Sequence, residues 1–123
     1  MLKDNFYTIL EMTSGESSLK ASLQLRADHP LYQGHFPGQP IVPGVCMMQM
    51  VKELTGLATK KTLLLQKADN IKFLQQIDPR YTPVLQAELN FKTLDDNSIK
   101  VSVIFLKETT PCFRFYGSFR SAE

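Results

Sequence analysis

One segment of the chain, residues 26 to 43, cannot form the interior of a helix or a strand. Proline lacks a backbone donor and has a fixed φ, and glycine weakens both kinds of regular structure. The segment contains Pro30, Gly34, Pro37, Gly38, Pro40 and Pro43. Loops this long in small domains are usually functional, so we expect the chemistry of the protein to lie here.

One helix is predicted directly after this loop. Residues 44 to 57 are mostly apolar and lack strict alternation, and Pro43 suits the helix start as Gly56 suits its end. At about 100° per residue, three polar side chains share one narrow sector: Gln49, Lys52 and Glu53. Because the other positions are apolar, the helix is expected to be largely buried.

The other segments are predicted to be strands, because apolar and polar residues alternate along most of them. The predicted strands cover residues 5–12, 17–25, 63–75, 84–92, 98–107 and 112–119. Closely spaced antiparallel strands with a single helix indicate one α+β domain covering residues 1–123, with one sheet and one central helix.

Composition argues against several classes of protein. The net charge is only +2 and no basic block is present, which argues against a nucleic-acid binder. The longest apolar stretch, near residues 41–51, is shorter than the roughly 20 residues of a membrane span, and the N-terminus has no signal-peptide core. Cys46 and Cys112 lack metal-ligand spacing, so we expect no metal or cofactor and two buried, reduced thiols in a cytoplasmic protein.

A single histidine, His35, lies in the middle of the proline- and glycine-rich loop, which leads to a helix start at Gly44. Free N–H groups at a helix start can bind a polarised carbonyl oxygen. A candidate base beside a candidate oxyanion site suits removal of a proton next to a thioester carbonyl. The other histidine, His29, lies outside this arrangement and is expected to be structural.

A family resemblance is carried by residues 34–45, whose sequence is GHFPGQPIVPGV; the strong match covers roughly residues 29–51, and a looser one extends to the C-terminus. It resembles the signature of the FabZ-type 3-hydroxyacyl-acyl carrier protein dehydratases of fatty acid synthesis. The resemblance implies a hot-dog fold, in which a curved antiparallel sheet wraps around one long helix. It also implies a homodimer, or a larger assembly, whose active sites at the subunit interface act on acyl thioesters carried by acyl carrier protein.

The resemblance implies roles for three residues. His35 would polarise or deprotonate the substrate, and the backbone N–H of Gly44 would bind the thioester oxygen. The family's helix acid, contributed by the other subunit, corresponds to Gln49. An amide can hold a hydrogen bond but cannot donate a proton and take it back, and such a group contributes on the order of 10²–10⁴-fold in rate. We predict that the acyl-binding site is lined by Phe36, Pro43, Val45, Met48 and Phe73.

Three alternative functions are compatible with these residues. The first is a dehydratase in which Gln49 orients the substrate hydroxyl. The second is a dehydratase-like subunit that binds acyl chains or an active partner but has lost turnover. The third is a hot-dog thioesterase, which needs a carboxylate. Glu53, one helical turn beyond Gln49, is the nearest candidate for that carboxylate, although we expect it to be a solvated or salt-bridged surface group.

Overall fold

The computed structural model describes residues 1–34 and 38–122, and in them it contains six strands, one α-helix and one short 3₁₀ helix. In chain order the elements are β1 (Tyr7–Ser14), β2 (Ser18–Leu25), the 3₁₀ helix (Pro30–Gln33), α1 (Gly44–Thr59), β3 (Leu63–Phe73), β4 (Val84–Thr93), β5 (Ile99–Lys107) and β6 (Thr110–Ser121). The predicted α+β architecture is therefore confirmed.

The strands form one antiparallel sheet in the order β1-β2-β4-β5-β6-β3. Consecutive strands are neighbours at the β1–β2, β4–β5 and β5–β6 pairs, whereas β3 pairs only with β6. The strand that follows the helix therefore lies at one edge of the sheet, and β1 lies at the other. This placement of β3 positions the candidate site, because the start of α1 lies beside the end of β3.

The core lies between α1 and one face of the sheet. Along β2 the predicted inward residues are all buried: Leu19, Ala21, Leu23 and Leu25. They pack in one cluster with helix side chains such as Met50, Val51 and Leu54, each of which has no exposed surface. Complete burial of a side chain of this size stabilises a fold by about 1.5–3 kcal/mol. The alternation in the sequence thus reports which face of each strand meets the helix.

The helix starts where it was predicted and ends later. Pro43 is the N-cap, but α1 continues through Gly56 to Thr59, and Lys60 ends it in the left-handed region with φ 59°. The prediction that Gly56 ends the helix is therefore wrong. The Lys60 N–H donates to the Gly56 carbonyl, and a Cβ at Gly56 would lie 3.0 Å from the Lys61 carbonyl oxygen. A glycine is suited to this position because the chain folds back closely over it.

Apart from shifts of one or two residues at strand ends, two other features differ from the prediction. The segment of residues 26–43 is interrupted by the 3₁₀ helix, and Pro111 lies inside β6 rather than before it. Pro111 pairs with Leu106 next to a register shift. A residue without an N–H is tolerated at such an irregularity, because the regular hydrogen-bonding pattern is already interrupted there.

His29 is structural, as predicted. Its Nδ1 accepts the Leu31 N–H at 3.0 Å, so Nε2 carries the proton and donates to the Asn5 side-chain oxygen at 2.6 Å. Both ring nitrogens are therefore used to cap the 3₁₀ helix and to attach it to the N-terminal segment.

Within the described ranges, no helix is long and apolar enough to cross a membrane. The same residues hold no cluster of three or more side chains suited to bind a metal ion.

Candidate active site

The start of α1 presents a backbone donor. Gly44 is its first residue, and no side chain caps it in the part of the chain that the structure describes. The N–H groups of Cys46 and Met47 both donate to the Pro43 carbonyl, at 3.0 and 3.1 Å. The N–H of Gly44 precedes these bonds, at the end of the helix where the peptide dipoles favour a negative charge.

A cleft of about 370 Å³ opens at this helix start, and we call it the Gly44 cleft. It is lined by Ile41, Val42, Gly44, Met47, Phe73, Leu74, Gln75 and Gln76. The Phe73 ring is 56% exposed and lies 5.3 Å from the Phe113 ring, measured between centroids. A Cβ at Gly44 would come within 2.8 Å of the Phe73 ring. Glycine therefore allows the aromatic ring to approach the helix start, and the cleft combines apolar walls with a backbone donor.

Gln49 opens to a different depression, which we call the Gln49 groove. The groove has a volume of about 450 Å³ and is lined by Met1, Gln49, Lys52, Glu53, Gly56, Leu57, Lys60, Lys61, Thr62 and Leu63. Gln49 lies five positions after Gly44 in the helix, which is about 7.5 Å along the axis and about 140° around it. Among the cavities that residues 1–34 and 38–122 form, these two therefore keep the predicted site residues Gly44 and Gln49 apart.

Glu53 is buried, with 6% of its surface exposed, and its carboxylate accepts four hydrogen bonds. Oε1 accepts from the Lys3 N–H at 2.8 Å and the Tyr7 hydroxyl at 3.1 Å. Oε2 accepts from the Leu2 N–H at 2.9 Å and from Gln49 Nε2 at 2.8 Å. The prediction that Glu53 is a surface group is wrong, because the N-terminal segment covers this face of the helix.

These bonds keep Glu53 ionised. Burial by itself would raise the pKa of Glu53, but the hydrogen bonds from Leu2, Gln49, Lys3 and Tyr7 outweigh burial, and the pKa lies below its ordinary value. A carboxylate has about four acceptor positions, and four donors fill them. Glu53 is thus a poor general acid at neutral pH and a poor nucleophile. This weighs against the thioesterase interpretation.

The other predicted site residues fall into three groups. His35 and Phe36 lie outside the described residues. Pro43 is buried as the N-cap, and Met48 is half-buried against the core. Val45 is 76% exposed and faces away from the core of its own chain. Of the predicted acyl-site residues that the structure describes, only Phe73 lines the Gly44 cleft.

Both cysteines are free and buried, as predicted. Burial raises the pKa of the Cys46 thiol, so Cys46 is less nucleophilic than an ordinary thiol at neutral pH.

Arg80 makes a contact with the loop that the sequence did not indicate. Its Nη1 donates to the Gly38 carbonyl at 3.2 Å, while Asp78 accepts from Nε at 3.1 Å and from Nη2 at 2.8 Å. The same segment also accepts the Val42 N–H, at 2.9 Å, through the Ile77 carbonyl. The loop that leads to Gly44 is therefore attached to residues 77–80. No spacing rule links positions 38 and 80, so only the fold reveals this contact.

These features define a hot-dog protein with a dehydratase-type motif. The fold is a six-stranded antiparallel sheet around one long helix, and the motif is the proline- and glycine-rich loop that enters this helix. Residues 11–109 match the model of the ApeI-like family, described as ApeI dehydratase. The chain belongs to this family.

Individual proteins agree with this assignment. The chain is 36% identical over 70 residues to the 3-hydroxyacyl-[acyl-carrier-protein] dehydratase FabZ of Shewanella woodyi, covering 57% of this chain and 45% of that protein. It is 34% identical over 92 residues to FabZ of Haemophilus influenzae, covering 72% of this chain and 62% of that protein. The chain thus spans about half the length of these relatives.

A solved structure confirms the hot-dog fold. The dehydratase heterocomplex ApeI:P from Xenorhabdus doucetiae superposes with a TM-score of 0.67 at 14% sequence identity, over 91% of this chain and 96% of that chain.

Proposed function

We propose that the chain is a dehydratase that removes water from 3-hydroxyacyl thioesters of acyl carrier protein. The observation that carries this proposal is the Gly44 cleft, in which the residue that carries a helix-start N–H lines a pocket with an aromatic wall. Such a donor stabilises the negative charge that develops on a thioester oxygen when the neighbouring carbon loses a proton. Family membership supports the same reaction class.

The chemistry needs one proton acceptor and one proton donor. In the proposed reaction His35 takes the proton from the carbon next to the thioester, and the Gly44 N–H holds the enolate oxygen. The bond from carbon to hydroxyl then breaks, a carbon–carbon double bond forms, and the hydroxyl leaves as water. Because Gln49 cannot donate a proton as a carboxylic acid does, protonated His35 returns its proton to the leaving hydroxyl.

A second chain completes the site in this proposal. Gly44 and Gln49 line different cavities of one chain, so we place the substrate between two chains, where it can contact Gly44 of one chain and Gln49 of the other. The edge strand β3 supports this arrangement. Ile71 and Phe73 pair with buried residues of β6 and share their face of the sheet, yet they are 38% and 56% exposed. An apolar face on an open edge is suited to a second copy of the chain.

A second candidate function is a subunit that binds acyl chains or an active partner without turnover. The specific observation in its favour is a carboxylate, Glu53, whose acceptor positions are all filled, beside Gln49, which the resemblance aligns with the family's acid.

The test is incubation of the purified protein with a 3-hydroxyacyl thioester while both enoyl product and free thiol are followed. The dehydratase proposal expects enoyl product, which His35→Ala abolishes and Gln33→Ala, a change at an exposed position of the same loop, leaves intact. Free thiol alone would overturn the proposal in favour of a thioesterase. Absence of both products would favour the subunit without turnover.

A further inference from the structure

We propose that Glu53 is a positioning residue, which holds the side-chain amide of Gln49 in one orientation with its carbonyl oxygen directed away from Glu53 and available to substrate. This inference rests on the proposed function, since it concerns the residue at the family's acid position. The two side chains lie one helical turn apart on the same face of α1.

The orientation follows from the chemistry of the two groups. Gln49 Nε2 donates to Glu53 Oε2 at 2.8 Å. An amide turned the other way would place its oxygen against a carboxylate oxygen at the same distance, and two acceptors repel each other there. The carboxylate thus selects one of the two amide orientations, and the Gln49 oxygen is left as the acceptor for another group.

Glu53 can select this orientation because it is itself fixed. Two backbone N–H groups and the Tyr7 hydroxyl also donate to its carboxylate. The Tyr7 side chain is fully buried, and burial, followed by the nearby Glu53 charge, raises its pKa, so the hydroxyl remains a donor. The other ionisable side chains of the groove are Lys52, Lys60 and Lys61, all of them cationic. No second carboxylate among the groove-lining residues competes for the Gln49 amide.

The arrangement gives Gln49 a defined task. A hydrogen bond from its N–H to a carboxylate polarises the amide and strengthens the oxygen as an acceptor. That oxygen can accept a hydrogen bond from the substrate hydroxyl and orient it, but it supplies no proton. Gln49 therefore contributes to positioning in the bound state, and proton transfer is left to another group.

The contact between Gln49 and Glu53 also affects the expected activity of Gln49→Glu, the simplest variant that would restore an acid at position 49. Gln49→Glu would place a second carboxylate within hydrogen-bond distance of Glu53, and two such groups hold one proton between them. The double variant Gln49→Glu with Glu53→Gln keeps one amide and one carboxylate in contact and moves the acid to position 49. We expect the double variant to exceed Gln49→Glu in dehydration rate.

The direct test is NMR of the full chain labelled with ¹⁵N, with Gln49 assigned by its loss in Gln49→Leu. One side-chain N–H of Gln49 should resonate downfield, exchange slowly with water, and move upfield when acid protonates Glu53. In Glu53→Gln the downfield shift should shrink and lose its pH dependence. Glu88→Gln, which removes an exposed carboxylate of β4, should leave the Gln49 signals unchanged.

The kinetic test uses a 3-hydroxyacyl thioester as substrate. Glu53→Gln should lower kcat/KM about 10- to 100-fold, the range expected for loss of one charged hydrogen bond, and Glu88→Gln should not. The positioning role is overturned if the Gln49 side-chain N–H signals show no downfield shift, or if they change neither with pH nor in Glu53→Gln. This conclusion does not depend on the measured activity. If Glu53→Gln does not fold, the pH dependence of the Gln49 signals in the unaltered chain tests the positioning role by itself. A wild-type protein without enoyl product would instead refute the proposed function.

Discussion

At the scale of single residues, the molecule keeps a buried negative charge in the middle of its central helix. Glu53 is charged because four donors converge on it, and three of these come from residues 2 to 7. Its sequence position shows that it shares a sector with Gln49, but not that it is buried. These three donors lie 46 to 51 residues away along the chain, and two of them are backbone groups with no side-chain signature.

This charge should make stability depend on pH. The pKa of Glu53 in the folded chain lies below its ordinary value of 4.5, so its stabilising bonds are complete above that pH. They are lost as the pH falls through the lower folded value. We expect the melting temperature of the wild type to exceed that of Glu53→Gln at pH 7, by the equivalent of about 1.5–3 kcal/mol, and the difference to shrink towards pH 3. A difference that stays constant from pH 7 to pH 3 would contradict this assignment, and Glu88→Gln is the control.

Gly44 is the second residue whose role is local and testable. A methyl group there would come within 2.8 Å of the Phe73 ring, so Gly44→Ala should displace the ring and cost up to about 1–3 kcal/mol. Adding Phe73→Leu should recover part of the lost melting temperature, because the smaller side chain leaves room for the methyl group. Equal melting temperatures for the single and double variants would show that the ring does not cause the loss.

At the scale of elements, strand β3 is the one whose surroundings are incomplete. Its side chains beyond Leu63 are all exposed, although several are large and apolar. The apolar pattern predicts the strand but not its place at the edge beside β6. Strand order depends on how the chain crosses the sheet after the helix, and alternation within a strand carries no information about that crossing.

We expect Ile71→Lys to weaken self-association, because it places a charge on the apolar face that β3 shares with the buried residues of β6. The matched control is Leu10→Lys, which adds the same charge to the exposed opposite edge strand β1. Light scattering after size-exclusion chromatography measures the mass of each variant. Dissociation by both variants, or by neither, would exclude the β3 edge as the contact between chains.

At the scale of the whole molecule, the residues proposed for catalysis are divided between two openings. The Gly44 cleft holds the proposed oxyanion donor, and the Gln49 groove holds the residue that the resemblance aligns with the family's acid. The motif predicted both residues, since glycine, proline and histidine at fixed spacing identify the loop and the helix start. The motif could not show that Gly44 and Gln49 line different cavities, because this depends on how the helix is rotated about its axis relative to the rest of the chain.

Division of the site between chains predicts complementation. His35→Ala and Gln49→Ala should each be impaired alone, whereas a mixture unfolded and refolded together should regain activity. Each mixed pair contains one intact site, so random pairing restores up to about a quarter of the wild-type rate. A mixture no more active than its components would show that each chain carries a complete site, and refolded wild type controls for recovery.

The contact of Glu53 with the N-terminal segment bears on which sequence changes this region tolerates. The donors at positions 2 and 3 are backbone N–H groups, so the side chains there are largely free to vary. Proline is the exception, because it alone lacks the N–H and would remove one of the two donors to a buried carboxylate oxygen. In a saturation library over these two positions, most substitutions should therefore be tolerated and proline should be depleted. Tolerance of most side chains would suggest a dispensable segment, but the depletion of proline would show that its backbone N–H groups are needed.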